Sequence, residues 1–212
     1  MPVNRTRTPL AEDETPSGWA LLIVDLVSTW DFEDAEKLTP GALRIAPHIA
    51  ALKGRCTRRG VPAVYVNDNR GRWRSDFRQI VRLAADSGSV GRAICVESLP
   101  PREDDYSVLK PKHSGFFATP LDLLLRHLRA KRLMVTGIST DQCILLTAME
   151  AQMRDYEVVV PRDCVATQTP ARHARALAQM AVADIATPLS TSLRFPEVPE
   201  VEDSQVPEPA RA

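Results

Sequence analysis

A cysteine stands where a predicted buried strand gives way to a helix. The strand covers Leu133–Thr136, a short turn follows, and Cys143 opens the helical stretch that runs to Arg154. A thiol at a helix N-terminus faces unpaired backbone N–H groups and the positive end of the helix dipole, and both favour the thiolate. We therefore predict that Cys143 is a nucleophile, although an isolated cysteine is more often a buried packing residue.

Two further ionisable residues follow predicted strands. Asp25 comes directly after the apolar run Ala20–Val24, and Lys110 follows the short run Ser107–Leu109. A carboxylate that takes the thiol proton and a cation that holds the thiolate would complete a nucleophilic site. The cation and the helix N-terminus are predicted to lower the pKa of the thiol, and the charged carboxylate to oppose them in part. The alternatives are a loop carboxylate that only accepts hydrogen bonds and a solvated loop lysine, and Lys112 competes for the second role.

Short apolar runs alternate with longer helical stretches along the chain. The predicted strands are Ala20–Val24, Ala63–Val66, Leu133–Thr136 and Glu157–Val160, with Ser107–Leu109 and Asp184–Ala186 as weaker candidates. The predicted helices are Ala42–Arg59, Ser75–Ala85, Pro120–Arg129, Asp141–Arg154 and Ala171–Val182. Strands without alternation, separated by helices, predict an α/β fold: a three-layer α-β-α sandwich around a mainly parallel, Rossmann-like sheet of about six strands. Ligands of such sheets bind at the carboxyl ends of the strands, where the three reactive residues lie.

The composition limits the class of protein. A chain of 212 residues suits one α/β domain, predicted over residues 18–193, with disordered proline-rich or acidic tails at 1–17 and 194–212. The 27 basic and 27 acidic residues balance, so we expect no nucleic-acid or membrane partner. No apolar run reaches the ~20 residues of a membrane span, and the N-terminus lacks the apolar part of a secretory signal, which favours the cytoplasm. The four cysteines are widely spaced without a C-x-x-C pair, so neither a disulfide framework nor a zinc knuckle is predicted.

Four segments, in this order, resemble the isochorismatase-like cysteine hydrolases, a family that includes nicotinamidases and N-carbamoyl amidohydrolases. They are Ala20–Asp25; Lys110–Leu121 with Ser114, Gly115, Phe116 and Thr119; Gly137–Cys143 followed by Thr147 and Ala148; and Tyr156–Ala166 with Asp163. Each segment alone is weak, but four in the right order are specific, and together they cover nearly the whole predicted domain. The resemblance implies a hydrolase of small molecules that assembles into a homo-oligomer, either a dimer or a tetramer.

The resemblance also implies roles for individual residues. Asp25, Lys110 and Cys143 match the family's catalytic triad, and the spacing to the serine at 114 selects Lys110 over Lys112. The backbone N–H groups of Ser139 and Cys143 match the oxyanion hole, and the bond between Ile138 and Ser139 matches a cis peptide. The implied reaction is attack by Cys143 on a carbonyl carbon, followed by hydrolysis of a thioester-type intermediate.

The segment after the second strand departs from the nicotinamidase pattern. Nicotinamidases carry an Asp-x-His pair and a further histidine there, which bind a metal, whereas Asn67–Trp73 contains no histidine. We therefore predict no metal and no cofactor. True isochorismatases lack the cysteine nucleophile, so a metal-free amide or ureido hydrolase is the favoured function. Hydrolysis of a vinyl ether, a non-catalytic binding protein that kept the fold, and a purely structural scaffold remain as alternatives.

Other residues are weaker candidates. Trp30, Asn67, Trp73 and Phe116 are predicted to wall a substrate pocket, although core packing explains isolated aromatic residues equally well. An arginine cluster consists of Arg70, Arg72, Arg74, Arg78 and Arg82. Its last three members are predicted to share a helical face that contacts solvent or another subunit rather than substrate. His113 is predicted to be a loop hydrogen-bonder, Asp163 to brace a loop, and the cysteines at 56, 95 and 164 to be packing residues.

Overall fold

The computed structural model describes residues 18–74 and 76–195. The predicted tails therefore lie outside the described residues, except for Arg194 and Phe195, and so does the predicted helix start at Ser75. The ring of Phe195 packs edge-on against Trp19, with 6.2 Å between centroids. The packed chain thus continues two residues beyond the predicted boundary at 193.

Within the described residues, six parallel strands form the central sheet, which confirms the predicted fold class. They are β1 Trp19–Val24, β2 Ala63–Asp68, β3 Tyr106–Lys110, β4 Arg132–Ile138, β5 Glu157–Val159 and β6 Val165–Ala166. The order is β3-β2-β1-β4-β5, and β6 pairs with β4. All residues of β1 are buried, as expected for a strand covered by helices on both faces.

The sixth strand differs from the prediction. Asp184–Ala186 was predicted, but only Ala186 makes an isolated bridge, to Val159. The strand β5 pairs with Arg132–Met134 and stops there, and β6 pairs instead with Gly137 and Ile138 at the carboxyl end of β4. A pairing of two residues is too short to leave a periodic signal in the sequence.

Helices cover both faces of the sheet. One face packs against α1 Ala35–Thr57 and α2 Phe77–Asp86, together with the short helix α3 Ser89–Arg92 and a π-helical segment Ala93–Ser98. The other face packs against α4 Leu121–His127, α5 Leu145–Gln152 and α6 Pro170–Val182. A π-helical turn, Thr140–Ile144, joins β4 to α5. Among the described residues, no helix is long and apolar enough to cross a membrane.

Helix α1 begins seven residues before its predicted start. Pro40 and Pro47 lie inside it, where each removes one backbone donor, and Pro40 precedes the predicted start by two residues. The helix forms because its apolar side, including Leu38, Ile45 and Ile49, is buried against the sheet. Burial of this side outweighs the unfavourable local propensity.

A glycine allows the carboxyl ends of β1 and β4 to approach each other. Gly137 has φ +114°, and a Cβ placed there would lie 2.0 Å from the Val24 carbonyl oxygen. No side chain fits at that distance. The close approach matters because Asp25 follows β1 directly and Cys143 follows β4.

We expect Gly137→Ala to lower the free energy of unfolding by at least ~2 kcal/mol, because the methyl group requires both a strained φ and a displaced strand. The matched control is Gly54→Ala inside α1, where the nearest atom to an added Cβ is the flexible Arg58 side chain at 3.8 Å. That change should be neutral or stabilise by up to ~1 kcal/mol. Urea unfolding of both variants tests this, and equal stabilities would contradict the packing argument.

Candidate active site

The three residues predicted to do chemistry meet at the carboxyl edge of the sheet. The Lys110 ammonium lies 2.8 Å from the Asp25 carboxylate and 3.5 Å from the Cys143 sulfur. A hydrogen bond also links the Asp25 carboxyl group to the thiol. The structure therefore brings the nucleophile, a proton acceptor and a cation into mutual contact, whereas the Lys112 side chain is exposed.

Lys110 is the fully buried member of this group. Its ammonium donates hydrogen bonds to Asp25, to the Lys112 carbonyl oxygen at 3.2 Å and to the sulfur, and Asp68 lies 3.7 Å away. A buried cation is tolerated when its donors are satisfied in this way. Burial lowers the pKa of Lys110, but Asp25, Cys143 and Asp68 raise it by more, so the net shift is upward. Lys110 therefore stays charged.

Asp25 leaves β1 with a left-handed backbone, φ 57°. One carboxylate oxygen accepts the Asp68 backbone N–H at 2.8 Å, and the other faces Lys110. Burial raises the pKa of Asp25 and outweighs the lowering by Lys110. A carboxylate with a raised pKa holds a proton more readily than a surface aspartate, which suits a group that exchanges protons with a thiol.

The predicted depression of the thiol pKa is wrong for the free site. Burial raises the pKa of Cys143 to about 12, Asp25 adds to the rise, and Lys110 opposes it. Cys143 is also the fourth residue of the π-helical turn, with Ser139 at its N-cap, and a helix dipole typically contributes no more than ~1 kcal/mol. The resting site therefore holds a thiol, and a thiolate must form by transfer of its proton to a neighbour.

The rate at which iodoacetamide alkylates Cys143 should depend on the charges of Asp25 and Lys110. We expect wild-type Cys143 to react more slowly than a free cysteine near pH 8, with a rate that keeps rising as the pH increases. Asp25→Asn should speed the reaction, because it removes a negative charge that raises the thiol pKa. Lys110→Met should slow it, and Lys112→Met should leave it nearly unchanged. Peptide mass spectrometry measures the rates, and an Asp25→Asn variant that reacts more slowly would contradict this account.

The Ile138–Ser139 peptide bond is cis, at the position that the resemblance implies. Both residues line the same cavity as Asp25 and Cys143. The backbone N–H groups of Ser139 and Cys143 remain the predicted donors to an oxyanion.

A cavity of about 290 Å³ opens above the sulfur. Its lining residues are Asp25, Val27, Ser28, Phe32, Leu38, Asn67, Asp68, Arg70, His113, Ile138, Ser139, Gln142 and Cys143. Of the four predicted wall residues only Asn67 lines it, and the Asn67 amide group donates to the Val27 carbonyl oxygen.

The three aromatic wall residues were predicted wrongly. Trp30 is buried and packs against Phe32, which lines the cavity in its place. Phe116 is buried in the core on the opposite face of the sheet, where it stacks on Tyr156. Trp73 is 79% exposed and lines a separate surface groove beside α2.

One member of the arginine cluster belongs to the cavity. Arg70 bonds to Asp31 at 2.7 Å and Thr29 at 3.0 Å, and its guanidinium lies over the Phe32 ring. Arg78 and Arg82 are exposed on α2, but Arg74 precedes that helix, so the predicted three-residue face does not form.

Several cavity residues were missed at the level of sequence. Asp68 is the last residue of β2, and its place at the sheet edge was a usable signal. Val27, Phe32 and Leu38 lie between β1 and the predicted start of α1, where the sequence shows no periodic pattern. His113 was predicted only to form hydrogen bonds within its loop, yet its Nδ1 lies 3.6 Å from the Cys143 sulfur.

Two hydrogen bonds tie the loop after β3 to the helix after Cys143. Ser114 donates to Glu150 at 2.5 Å, and the Gly115 N–H donates to the Thr147 hydroxyl at 2.9 Å. These bonds fix the loop that carries Lys110 and His113 relative to the sulfur.

The remaining predictions concern the loop contact of Asp163, the other cysteines and metal binding. Asp163 accepts hydrogen bonds from the Ser190 N–H at 2.7 Å and hydroxyl at 2.6 Å, which confirms its bracing role. The cysteines at 56, 95 and 164 are buried. Over residues 18–74 and 76–195, no three His, Cys, Asp or Glu side chains come together in a way that could hold a metal ion.

Comparison with known proteins identifies the class. Residues 19–192 match the model of the isochorismatase domain. The chain therefore belongs to the isochorismatase family.

Three proteins that resemble this chain show the range of the isochorismatase family. The isochorismatase family protein YaaI of Bacillus subtilis is 35% identical over 76% of this chain and 87% of its own. A probable inactive nicotinamidase of Arabidopsis thaliana is 28% identical over 80% of this chain and 91% of its own. The crystal structure of N-carbamoylsarcosine amidase from Thermoplasma acidophilum superposes with a TM-score of 0.63 at 25% identity, covering 83% of this chain and 98% of that one.

Proposed function

We propose that this protein is a metal-independent cysteine hydrolase that cleaves a C–N bond, amide or ureido, of a small molecule through a thioester-type intermediate. The observation that carries the proposal is the contact of the Cys143 sulfur with both Asp25 and Lys110 at the floor of an open cavity. The solved amidase among its structural relatives supports the reaction class.

Asp25 and Cys143 perform the first half of the reaction. Asp25 accepts the thiol proton as the sulfur attacks the carbonyl carbon, and Lys110 stabilises the negative charge that passes between them. The C–N bond then breaks, the leaving nitrogen takes a proton, and the acyl group stays on Cys143. Water attacks this thioester, the carboxylic acid departs, and the sulfur regains its proton.

The tetrahedral oxyanion requires hydrogen-bond donors beside the sulfur. The backbone N–H groups of Ser139 and Cys143 are the proposed donors, since both residues line the cavity. Loss of one such donor in other hydrolases costs about 3 kcal/mol of transition-state stabilisation.

The cavity suits a small substrate. At about 290 Å³ it is at the lower end of ligand pockets, and Val27, Phe32 and Leu38 give it an apolar side. A compact acyl group with some apolar surface therefore fits best.

A non-catalytic binding protein is the second candidate, favoured by the relative whose name describes it as a probable inactive nicotinamidase. The contacts among Asp25, Lys110 and Cys143 favour the enzyme instead. Vinyl-ether hydrolysis is disfavoured because that reaction needs no thiol.

A substrate panel tests the proposal. Primary amides, N-carbamoyl amino acids and ureides would be incubated with the protein, and released ammonia would be measured. We expect turnover of at least one of these classes, and none with Cys143→Ser. Absence of turnover on every class, together with a Cys143 that resists alkylation even in alkali, would favour the binding protein.

Activity should survive exhaustive chelation. The residues at the end of β2, Asn67 to Asn69, offer one carboxylate and no imidazole, which is a poor set of ligands for a first-row transition metal. We expect the rate in EDTA to equal the untreated rate. A loss of activity that zinc, manganese or iron restores would contradict the proposal.

A further inference from the structure

The proposed reaction needs a proton at the leaving nitrogen, in addition to the proton transfer between Asp25 and the sulfur. Both Asp25 oxygens are engaged, by the Asp68 N–H and by Lys110, and only 15% of its side chain is exposed. Once Asp25 has taken the thiol proton, its next task is to return that proton to the sulfur at the end of the cycle. The amine, by contrast, leaves through the open cavity.

His113 contacts the sulfur and faces this cavity. Its Nδ1 lies 3.6 Å from the Cys143 sulfur, and the residue is exposed. Reacting atoms sit about 3–3.5 Å apart in a productive complex, so a nitrogen attached to the attacked carbon comes within reach of this imidazole. The hydrogen bonds from Ser114 and Gly115 to the helix after Cys143 hold the loop in this position.

The other cavity residues are less suited to the role. Of the described residues that line the cavity, those with a carboxyl, imidazole or thiol group that can pass on a proton are Asp25, Asp68, His113 and Cys143. The Asp68 carboxylate accepts the Arg70 backbone N–H and lies against the Lys110 ammonium at 3.7 Å. The Arg70 guanidinium is held by Thr29 and Asp31.

We propose that His113 is a second catalytic residue, the general acid that protonates the leaving nitrogen and the general base that then activates water. This inference rests on the proposed function. It divides the proton transfers of the cycle between two groups that both contact the sulfur. In each step, each group then exchanges a proton with one partner.

The proton balance closes over one cycle. During acylation Asp25 takes the thiol proton, the C–N bond breaks with its electron pair going to nitrogen, and the His113 imidazolium gives that nitrogen a proton. During deacylation neutral His113 takes a proton from water as its oxygen attacks the thioester carbon. The C–S bond breaks with its electron pair going to sulfur, which regains a proton from Asp25. An amide and water have then become an acid and an amine, with both residues restored.

The test compares two leaving groups on one acyl group. The amide that the wild type hydrolyses needs a protonated nitrogen, whereas the p-nitrophenyl ester of the same acid releases a stable anion. Single-turnover acylation would be measured with both substrates for the wild type, His113→Gln and His113→Phe. The control is His127→Gln, which removes an exposed imidazole from the end of α4, away from the cavity.

We expect both His113 variants to slow acylation by the amide by about a hundredfold or more, while acylation by the ester stays near the wild-type rate and the control changes neither. Equal slowing with both substrates would mean that His113 only supports the site, and an unchanged amide rate would mean that it has no role. Either result overturns the inference while wild-type turnover upholds the proposed function. A wild type that forms no acyl-enzyme from either substrate would overturn both.

Discussion

Replacing Cys143 with alanine is expected to abolish turnover while the protein stays folded. The change removes the proposed nucleophile, and no other cysteine of the described chain lines the cavity. Loss of the nucleophile from a cooperating catalytic group lowers kcat by as much as ~10⁶-fold in hydrolases of other folds, so we expect a drop of at least ~10⁴-fold here. Ammonia release measures the rate, and thermal unfolding shows that the fold remains.

Cys95→Ala is the matched control for this variant. Cys95 is a buried residue of the π-helical segment Ala93–Ser98 on one face of the sheet and does not line the cavity. Its replacement should cost some stability through a small void but leave kcat/KM nearly unchanged. A Cys143→Ala protein that kept even a tenth of the wild-type activity would contradict the thiol mechanism.

Lys110→Met is expected to have the second-largest effect, on both activity and stability. The ammonium holds the Asp25 carboxylate in its charged form, and without it the pKa of Asp25 rises further. A protonated Asp25 cannot accept the thiol proton, so we expect kcat/KM to fall by about 10²- to 10⁴-fold. Lys112→Met keeps the backbone carbonyl that Lys110 contacts and should retain activity.

The stability of Lys110→Met should depend on pH in a defined direction. A carboxyl group whose pKa in the folded state exceeds that in the unfolded state stabilises the fold at low pH and loses this contribution as the pH rises. The variant should therefore be closer to wild-type stability near pH 4 than near pH 7, where an uncompensated buried carboxylate costs up to ~3–5 kcal/mol. Urea unfolding at both pH values measures this. A variant that is relatively more stable at the higher pH would contradict the assignment of Lys110 as the partner of Asp25.

The reactive edge of the sheet was predictable because strand ends are visible in the sequence. Asp25 and Lys110 each terminate an apolar run, and parallel strands bring such termini to one edge. Residue chemistry alone could not separate Lys110 from Lys112, and only the resemblance selected between them. The structure supplies the physical difference, because one side chain is buried and the other is exposed.

The sign of the thiol pKa shift was not predictable from local sequence. A helix N-terminus and a nearby lysine both lower the pKa of a thiol, and these features can be read from the chain. The opposing contributions, burial and the Asp25 charge, depend on the packed structure and are larger at Cys143. Local features thus identified the residue but not its resting protonation state.

The walls of the cavity were the least predictable part. Trp30, Trp73 and Phe116 were chosen because they are aromatic, but residue type does not determine on which face of a loop a side chain lies. Leu38 lines the cavity from the part of α1 that precedes its predicted start, and that early start depends on burial of the apolar side of the helix rather than on local propensity. Tertiary packing therefore decides the shape of the pocket, whereas strand ends decide the chemistry at its floor.

The most direct test of the central claim is to trap the acyl-enzyme. Wild-type protein would be mixed with the amide that it hydrolyses, quenched with acid during the first turnovers, and its intact and peptide masses would be measured. The account predicts an added mass equal to the acyl group, located on the peptide that contains Cys143 and absent from Cys143→Ala. Steady hydrolysis with no adduct on rapid quenching, or an adduct on another residue, would contradict a reaction that passes through a Cys143 thioester.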